Sequence, residues 1–567
     1  AFDPTLVRGK SFRTPSHLWS VDTTQTPYLF IDGIFEQTKP SLYQSMSYSN
    51  QFTYQGGLTY ANTFGKSSFG GLILVESKKN NYEYFDATRR IYNLTVDELS
   101  MGSSTLADIS NSGMSSNAKQ LGFVYRVTYD YADKYLLEAS GRYDGSYYFA
   151  KNSRFGFFPA FSAGWRVSEE NFLKQIHWID NLKIRASYGQ VGALAGAAFQ
   201  YLNLYNIYGP AAVLDGQAVQ AAIEGIESNP NITWERANKT NIGLEATLWK
   251  GLIKLEADYF LERRANMLTS PTIVVPVEYG VSLSQVNAGK MQNQGIDLTI
   301  STSRRFNKNL HIELGSNFTY AKNKLVQVFE SANTYDNPNR RGTGSPLGTR
   351  FGYQSLGYFQ VEDFDDKGNL NTGIASQPWG KVFPGDVRYQ DINKDGAIDN
   401  NDIVPIGVAD IPQIIYGIFS NISYKQFRLD LLFQGAAKTN IYGSNGYWHP
   451  FNNGRGAYKS NMDYWTPENR NASHARITPS PTSNNNQMSS YLMFNSRYLR
   501  LKSINISYNI PQNLSKKVAI ENARVFVSGQ NLLTFTPIIN YDPEIINSQA
   551  LDYPQQRVIS FGVNLTF

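Results

Sequence analysis

Residues 391–402 read DINKDGAIDNND, with oxygen-bearing side chains at nearly every second position. Hard cations such as calcium take six to eight oxygen ligands, and a twelve-residue loop supplies them from positions 1, 3, 5, 7, 9 and 12. Here those positions hold Asp391, Asn393, Asp395, the backbone carbonyl of Ala397, Asp399 and Asp402. Gly396 stands sixth, where such a loop turns sharply, and Ile398 follows as the apolar anchor. Position 12 is Asp rather than the longer Glu, which weakens bidentate binding. The same residues also read as an acidic, solvated turn held by Asx-type hydrogen bonds. No amphipathic helix flanks the loop, since FPGDVRYQ precedes it and IVPIGVAD follows. A bound Ca2+ would therefore be a structural staple and not a sensor.

Other chemistry is sparse. The five histidines, His17, His177, His311, His449 and His474, are scattered along the chain. There is no cysteine, no HExxH zinc motif and no GxSxG elbow, so an enzyme is not expected. The stretch GSNGYWHPFNNGRGAY (443–458) offers Tyr447, Trp448, Phe451 and Tyr458 for stacking on sugars or touching peptide side chains. Those rings equally serve to pack a long loop that needs its own small core. The net charge of +5 is small for 567 residues, and no basic run marks a nucleic-acid groove.

The elements that hold these residues are strands. The chain ends RVISFGVNLTF, with Ile559, Phe561, Val563, Leu565 and Phe567 on one side of a two-residue period. In LGFVYRVTYDY, Phe123, Tyr125, Val127, Tyr129 and Tyr131 oppose Gly122, Val124, Arg126, Thr128 and Asp130. A soluble sandwich and a membrane barrel both produce this alternation. No stretch of 18 or more apolar residues exists, which excludes a spanning helix and leaves barrels open.

The connections discriminate. Fifteen strands are predicted at 50–64, 68–80, 120–131, 135–148, 155–168, 182–191, 236–249, 252–267, 293–304, 309–322, 413–424, 427–437, 495–508, 521–535 and 556–567. Tight turns such as 132–134, 250–251, 305–308 and 425–426 alternate with long links such as 81–119, 192–235, 268–292 and 438–494. Short turns on one side and long loops on the other belong to outer-membrane barrels. The fold class is therefore all-β: a transmembrane antiparallel β-barrel of about fifteen strands. Counting RFGYQSLGYFQ (350–360) as a spanning strand would break this alternation. Residues 323–412 are therefore read as one large external excursion. An odd strand count makes 1–49 an external segment at a truncated start and 50–567 the C-terminal part of the barrel. A sheet with two edges open to lipid is not viable, so further strands are expected from elsewhere.

Several stretches resemble the SusC-like family of TonB-dependent outer-membrane transporters of Bacteroidetes. They are SGRYDGSYYFAKNSRFGFFPAFSAGWRVSEENFL (140–173), NPNITWERANKTNIGLEATLWKGLIKLEADYF (229–260), and GYFQ (357–360) with PGDVRYQDINKDGAIDNNDIVPIG (384–407). SRYLRLKSINISYNIP (496–511) and SKKVAIENARVFVSGQNLLTFT (515–536) complete the set. The resemblance runs from about residue 50 to the end. It implies a 22-stranded barrel, a plug and TonB-interaction segment that do not occur in this chain, and a SusD-like surface lipoprotein as lid. It further implies import of oligosaccharides or oligopeptides through the outer membrane of a Gram-negative bacterium, and makes Phe567 the signal read by the barrel-insertion machinery. A passive porin or a surface-adhesion barrel is the other class, and a plug with a TonB box would discriminate them.

Overall fold

The computed structural model describes every residue except 1, 15–16, 23–28, 36–39, 273–275, 444–448, 452–455, 480–481, 516, 518, 539–541 and 546–554. Sixteen strands form one antiparallel sheet, each paired with its neighbour in chain order. They are β1 (Phe2–Arg13), β2 (Ser41–Phe64), β3 (Ser67–Arg90), β4 (Ile109–Tyr131), β5 (Tyr135–Ser146), β6 (Phe155–Arg166), β7 (Ile179–Ala193) and β8 (Glu235–Leu248). The second half comprises β9 (Ile253–Thr269), β10 (Val286–Arg305), β11 (Leu310–Gln327), β12 (Ile414–Tyr424), β13 (Phe427–Ala437), β14 (Tyr498–Ile510), β15 (Asn522–Phe535) and β16 (Val558–Thr566). Among the described residues, β1 pairs only with β2 and β16 only with β15, so the two edges do not meet. No described helix is long and apolar enough to cross a membrane.

All fifteen predicted strands are present, and one was missed. The segment 1–49, read as external, contains β1, which runs in register from Phe2 opposite Phe52 to Arg13 opposite Ser41. The described strand count is therefore sixteen rather than fifteen, and the first strand runs outward. FDPTLVRGKSFR escaped the alternation test because Arg8 and Lys10 share a face with Leu6 and Phe12. β1 pairs with the outer half of β2, beyond the ~9–11 residues that a membrane crossing needs, so no apolar stripe is required there. The link 81–119 shrinks for the same reason. β3 climbs to Arg90 and β4 starts at Ile109, with polar residues on both faces of the added lengths. At 24, 24 and 23 residues, β2, β3 and β4 far exceed the ~9–11 that span a bilayer.

Register sorts side chains onto two faces. One carries Leu58, Ile73 and Phe561, which are 80%, 66% and 79% exposed. In water such exposure forfeits the gain of burial; against lipid it does not. Aromatic pairs ring the end of this face near the short turns. Tyr131 stacks with Tyr135 (6.5 Å between ring centroids), Trp178 with Trp249 (5.6 Å), and Phe427 lies 4.7 Å from Tyr508. The turns are short because residues accept left-handed backbone there: Ala132 and Asp133 have φ of 55° and 57°.

The opposite face is polar and laced with ion pairs, some within a strand and others one or two strands across. Arg142 reaches Glu76 (3.2 Å) and Asp144 (2.9 Å), and Arg126 meets Glu138 at 2.7 Å. Arg185 bonds both Glu245 (2.9 Å) and Asp258 (2.8 Å). One greasy face and one charged face make a barrel wall with a wet interior.

Candidate functional site in the external loop assembly

The connection between β11 and β12 is the large excursion expected at 323–412, and RFGYQSLGYFQ does not span. Arg350–Tyr353 pairs with Ile403–Ile406, and Ser355–Tyr358 with Val387–Tyr389. Both are short hairpin-like sheets outside the wall. Their side chains enclose a small core of Tyr353, Val387, Tyr389 and Ile398. Trp379 packs edge-on against Tyr353 (4.8 Å) and Tyr389 (5.7 Å).

The core extends into the next connection, 438–497. Asp386 is fully buried, and the Arg476 guanidinium donates to both of its oxygens, Nε at 2.7 Å and Nη2 at 3.2 Å. Asn485 Nδ2 and the Phe383 N–H also donate to Asp386, at 3.0 and 2.9 Å. Gln377 bonds Asn484 and receives the Tyr389 N–H, while the Tyr389 hydroxyl donates to the Asn484 carbonyl at 2.7 Å. Burial holds the Tyr389 phenol well above the ordinary tyrosine range. Two connections far apart in sequence are thus joined into one body by buried, mutually satisfied polar groups.

Asp542 and Glu544 of the last external connection, 536–557, are held in a similar way. Arg500 of β14 is only 2% exposed, 2.7 Å from Asp542 and 3.0 Å from Glu544. The Tyr498 hydroxyl donates to Glu544 at 2.9 Å. Burial raises the pKa of Asp542, but the hydrogen bond from Arg500 leads the opposing effects that hold it below its usual value.

The 391–402 loop sits at the rim of the excursion core. Ile398 is buried in that core, as its place in the loop predicts. Asp391 accepts the N–H groups of Lys394 (2.6 Å) and Gly396 (2.8 Å). Asn393 Nδ2 donates to Asp395, which accepts the Ala397 N–H at 2.9 Å. The Ala397 N–H is the first cause holding the Asp395 carboxyl below its ordinary value. Buried Asp402 ties the two ends by accepting from Ile392 (2.7 Å) and Asp399 (2.8 Å). Asp399 in turn accepts from the Asn401 N–H at 2.6 Å. Lys394 and Gly396 take positive φ, 61° and 87°, to bring these N–H groups round. Among the described residues, no three His, Asp or Glu side chains gather closely enough to hold a metal ion. These carboxylates thus bond mainly to the loop's own backbone.

The other predicted residues are dispersed. Tyr447 and Trp448 lie outside the described residues. Phe451 and Tyr458 are exposed, at 43% and 54%. Phe567 follows the last residue of β16 and is 84% exposed. Sequence reasoning missed the Asp386–Arg476 pair and the Arg500 anchor, and treated the histidines as unrelated. In fact His449 and His474 are both buried beside one cavity. No local spacing signals such pairs, since their partners lie tens of residues away.

The family profile described as "TonB dependent receptor-like, beta-barrel" matches residues 8–532. The chain belongs to this family. As a TonB-dependent receptor barrel, it resides in the outer membrane of a Gram-negative bacterium. TonB-dependent receptor P3 of Formosa agariphila is 29% identical over 469 residues, covering 78% of this chain and 45% of the relative. TonB-dependent receptor SusC of Bacteroides thetaiotaomicron is 25% identical over 458 residues, covering 78% and 43% respectively. A chain of the RagAB peptide importer in its "closed-closed" state matches in fold with a TM-score of 0.79 at 20% identity. That match covers 100% of this chain and 59% of the other. This receptor barrel spans about half the length of the curated relatives it matches. The SusC-like resemblance read from the motifs is thereby upheld.

Proposed function

We propose that this chain supplies the wall and external loops of an importer for bulky nutrients, oligosaccharides or oligopeptides, and has no enzymatic activity. In this reading a SusD-like lipoprotein caps the external side, and TonB acts through a plug. The observation that carries it is the pairing of a polar, ion-paired wall with external connections knitted into one large body. A passive porin has no use for so heavy an external assembly. Exposed Phe451 and Tyr458, with Tyr447 and Trp448, are offered as contacts for substrate or lid, and Phe567 as the assembly signal. Growth of the native organism on oligomeric nutrients tests the whole reading. Deleting the gene and disabling TonB should each abolish uptake of the same oligomer, and purification from native membranes should carry a lipoprotein along. Uptake that survives loss of TonB would make the protein a porin.

Calcium at 391–402 belongs to the same proposal. It is supported by the twelve-residue register of Asp391, Asn393, Asp395, Ala397, Asp399 and Asp402, and by the buried anchor Ile398. Saturating calcium at a hundred times its dissociation constant would stabilise the loop by about 2.7 kcal/mol. Proteolysis within 391–402 should slow on adding calcium and return with chelator, and Asp391→Ala should abolish the difference. Equal cleavage with and without calcium refutes the site.

A further inference from the structure

We propose that the seam between the 323–412 excursion and the 438–497 connection is an acid-operated latch, opened when His449 and His474 take up protons. The reading holds whichever nutrient the barrel carries. His474 is 3% exposed and His449 8%, and both line a cavity of about 20 Å³ together with Asn461, Arg476 and Asn485. That is room for a single water molecule.

The charges around the cavity make it a poor place for a new cation. Arg476 is already there as a permanent positive charge; it and Asn485, both in the cavity lining, hold its counter-ion Asp386 across the seam, and Asp386 is fully engaged by these two and the Phe383 N–H. The remaining carboxylate, Asp463, attracts a proton toward His474. It is itself occupied by the Ser473 N–H (3.0 Å), the Ser473 hydroxyl (2.6 Å) and Asn469 Nδ2 (2.9 Å). His449 Nε2 is buried with no hydrogen-bond partner among the described residues, so none of them stands ready to accept from a proton placed there. Burial, the largest influence, outweighs the pull of Asp463 and pushes His474 down to about 4. It lowers His449 as well, against an opposing hydrogen bond with Asn486.

In the closed seam both rings are therefore neutral, while in an opened seam each regains an ordinary histidine pKa of about 6.5. The open form binds more protons between these limits. Closure is fully stable above about pH 6.5 and is lost progressively as the pH falls toward 4. Each proton taken up on opening shifts the equilibrium by about tenfold per pH unit in that window.

Hydrogen exchange read by mass spectrometry on the full protein from native membranes tests this between pH 7.5 and 5, with rates corrected for chemical exchange. Peptides covering 383–390 and 461–479 should show at least a tenfold rise in opening between pH 6.5 and 5. Peptides of β7 should stay level and serve as the reference. In the double variant His449→Gln/His474→Gln the slope should disappear. A wild-type seam no more open at pH 5 than at pH 7.5 overturns the latch, as does a double variant that keeps the full slope. If the double variant fails to fold, the two single variants take its place, each expected to lose part of the slope. Full retention of the slope in both overturns the proposal.

Discussion

The wall and the external assembly solve the same problem by different means. In the wall, backbone polar groups are satisfied by the strand ladder, and each side chain has a solvent of its own, lipid on one face and water on the other. Few wall residues are buried, and the ion pairs there stay within a strand or reach one or two strands across. The external assembly has no ladder long enough to do this. It buries Asp386, Asp402, Asn484 and Asn485, draws on Arg500 at the end of β14, and must find each a partner. The difference teaches where single substitutions will hurt. In the wall, cost follows the face; outside, it follows the partner.

The sharpest test removes a partner. Arg500→Ala leaves Asp542, whose side chain is 8% exposed, without its cation, and truncating one side of a buried pair typically costs about 3–5 kcal/mol. Limited proteolysis should then cut 536–557 readily while the wall stays intact. Cleavage no faster than in wild type would mean the external charges are solvated after all.

Next comes the face rule. Ile73→Arg places a charge toward the middle of the bilayer and should destabilise the barrel by about 2–4 kcal/mol. Thr59→Arg, on the polar face opposite Leu72, should change stability by less than about 0.5 kcal/mol. Equal losses in urea unfolding from liposomes would show that the faces are wrongly assigned. A smaller loss than for Arg500→Ala or Ile73→Arg is expected for Tyr389→Phe. It deletes one buried hydroxyl bonded to the Asn484 carbonyl, at a cost of about 1 kcal/mol. Hydrogen exchange in 482–487 should quicken several-fold, with the wall unaffected.

The same contrast explains what could be read in advance. A strand between lipid and water must alternate, so the lipid-crossing parts of fifteen strands, from Tyr54 and Leu58 in β2 to Phe561 and Val563 in β16, announced themselves. Loop length announced which rim was external, and Ile398 declared itself by its place in a twelve-residue loop. β1 and the outer halves of β2–β4 lie beyond the length that a crossing needs, so nothing in their pattern had to alternate.

The residues by themselves determined the sheet, its inside and outside, and the family, because those depend on a two-residue period and on local motifs. Only the tertiary structure decided that Asp386 would meet Arg476, that Arg500 would gather Asp542 and Glu544, and that His449 and His474 would share one cavity. A buried charge constrains its partner's chemistry and distance but not its place in the sequence. Such pairs become visible only once the chain has folded.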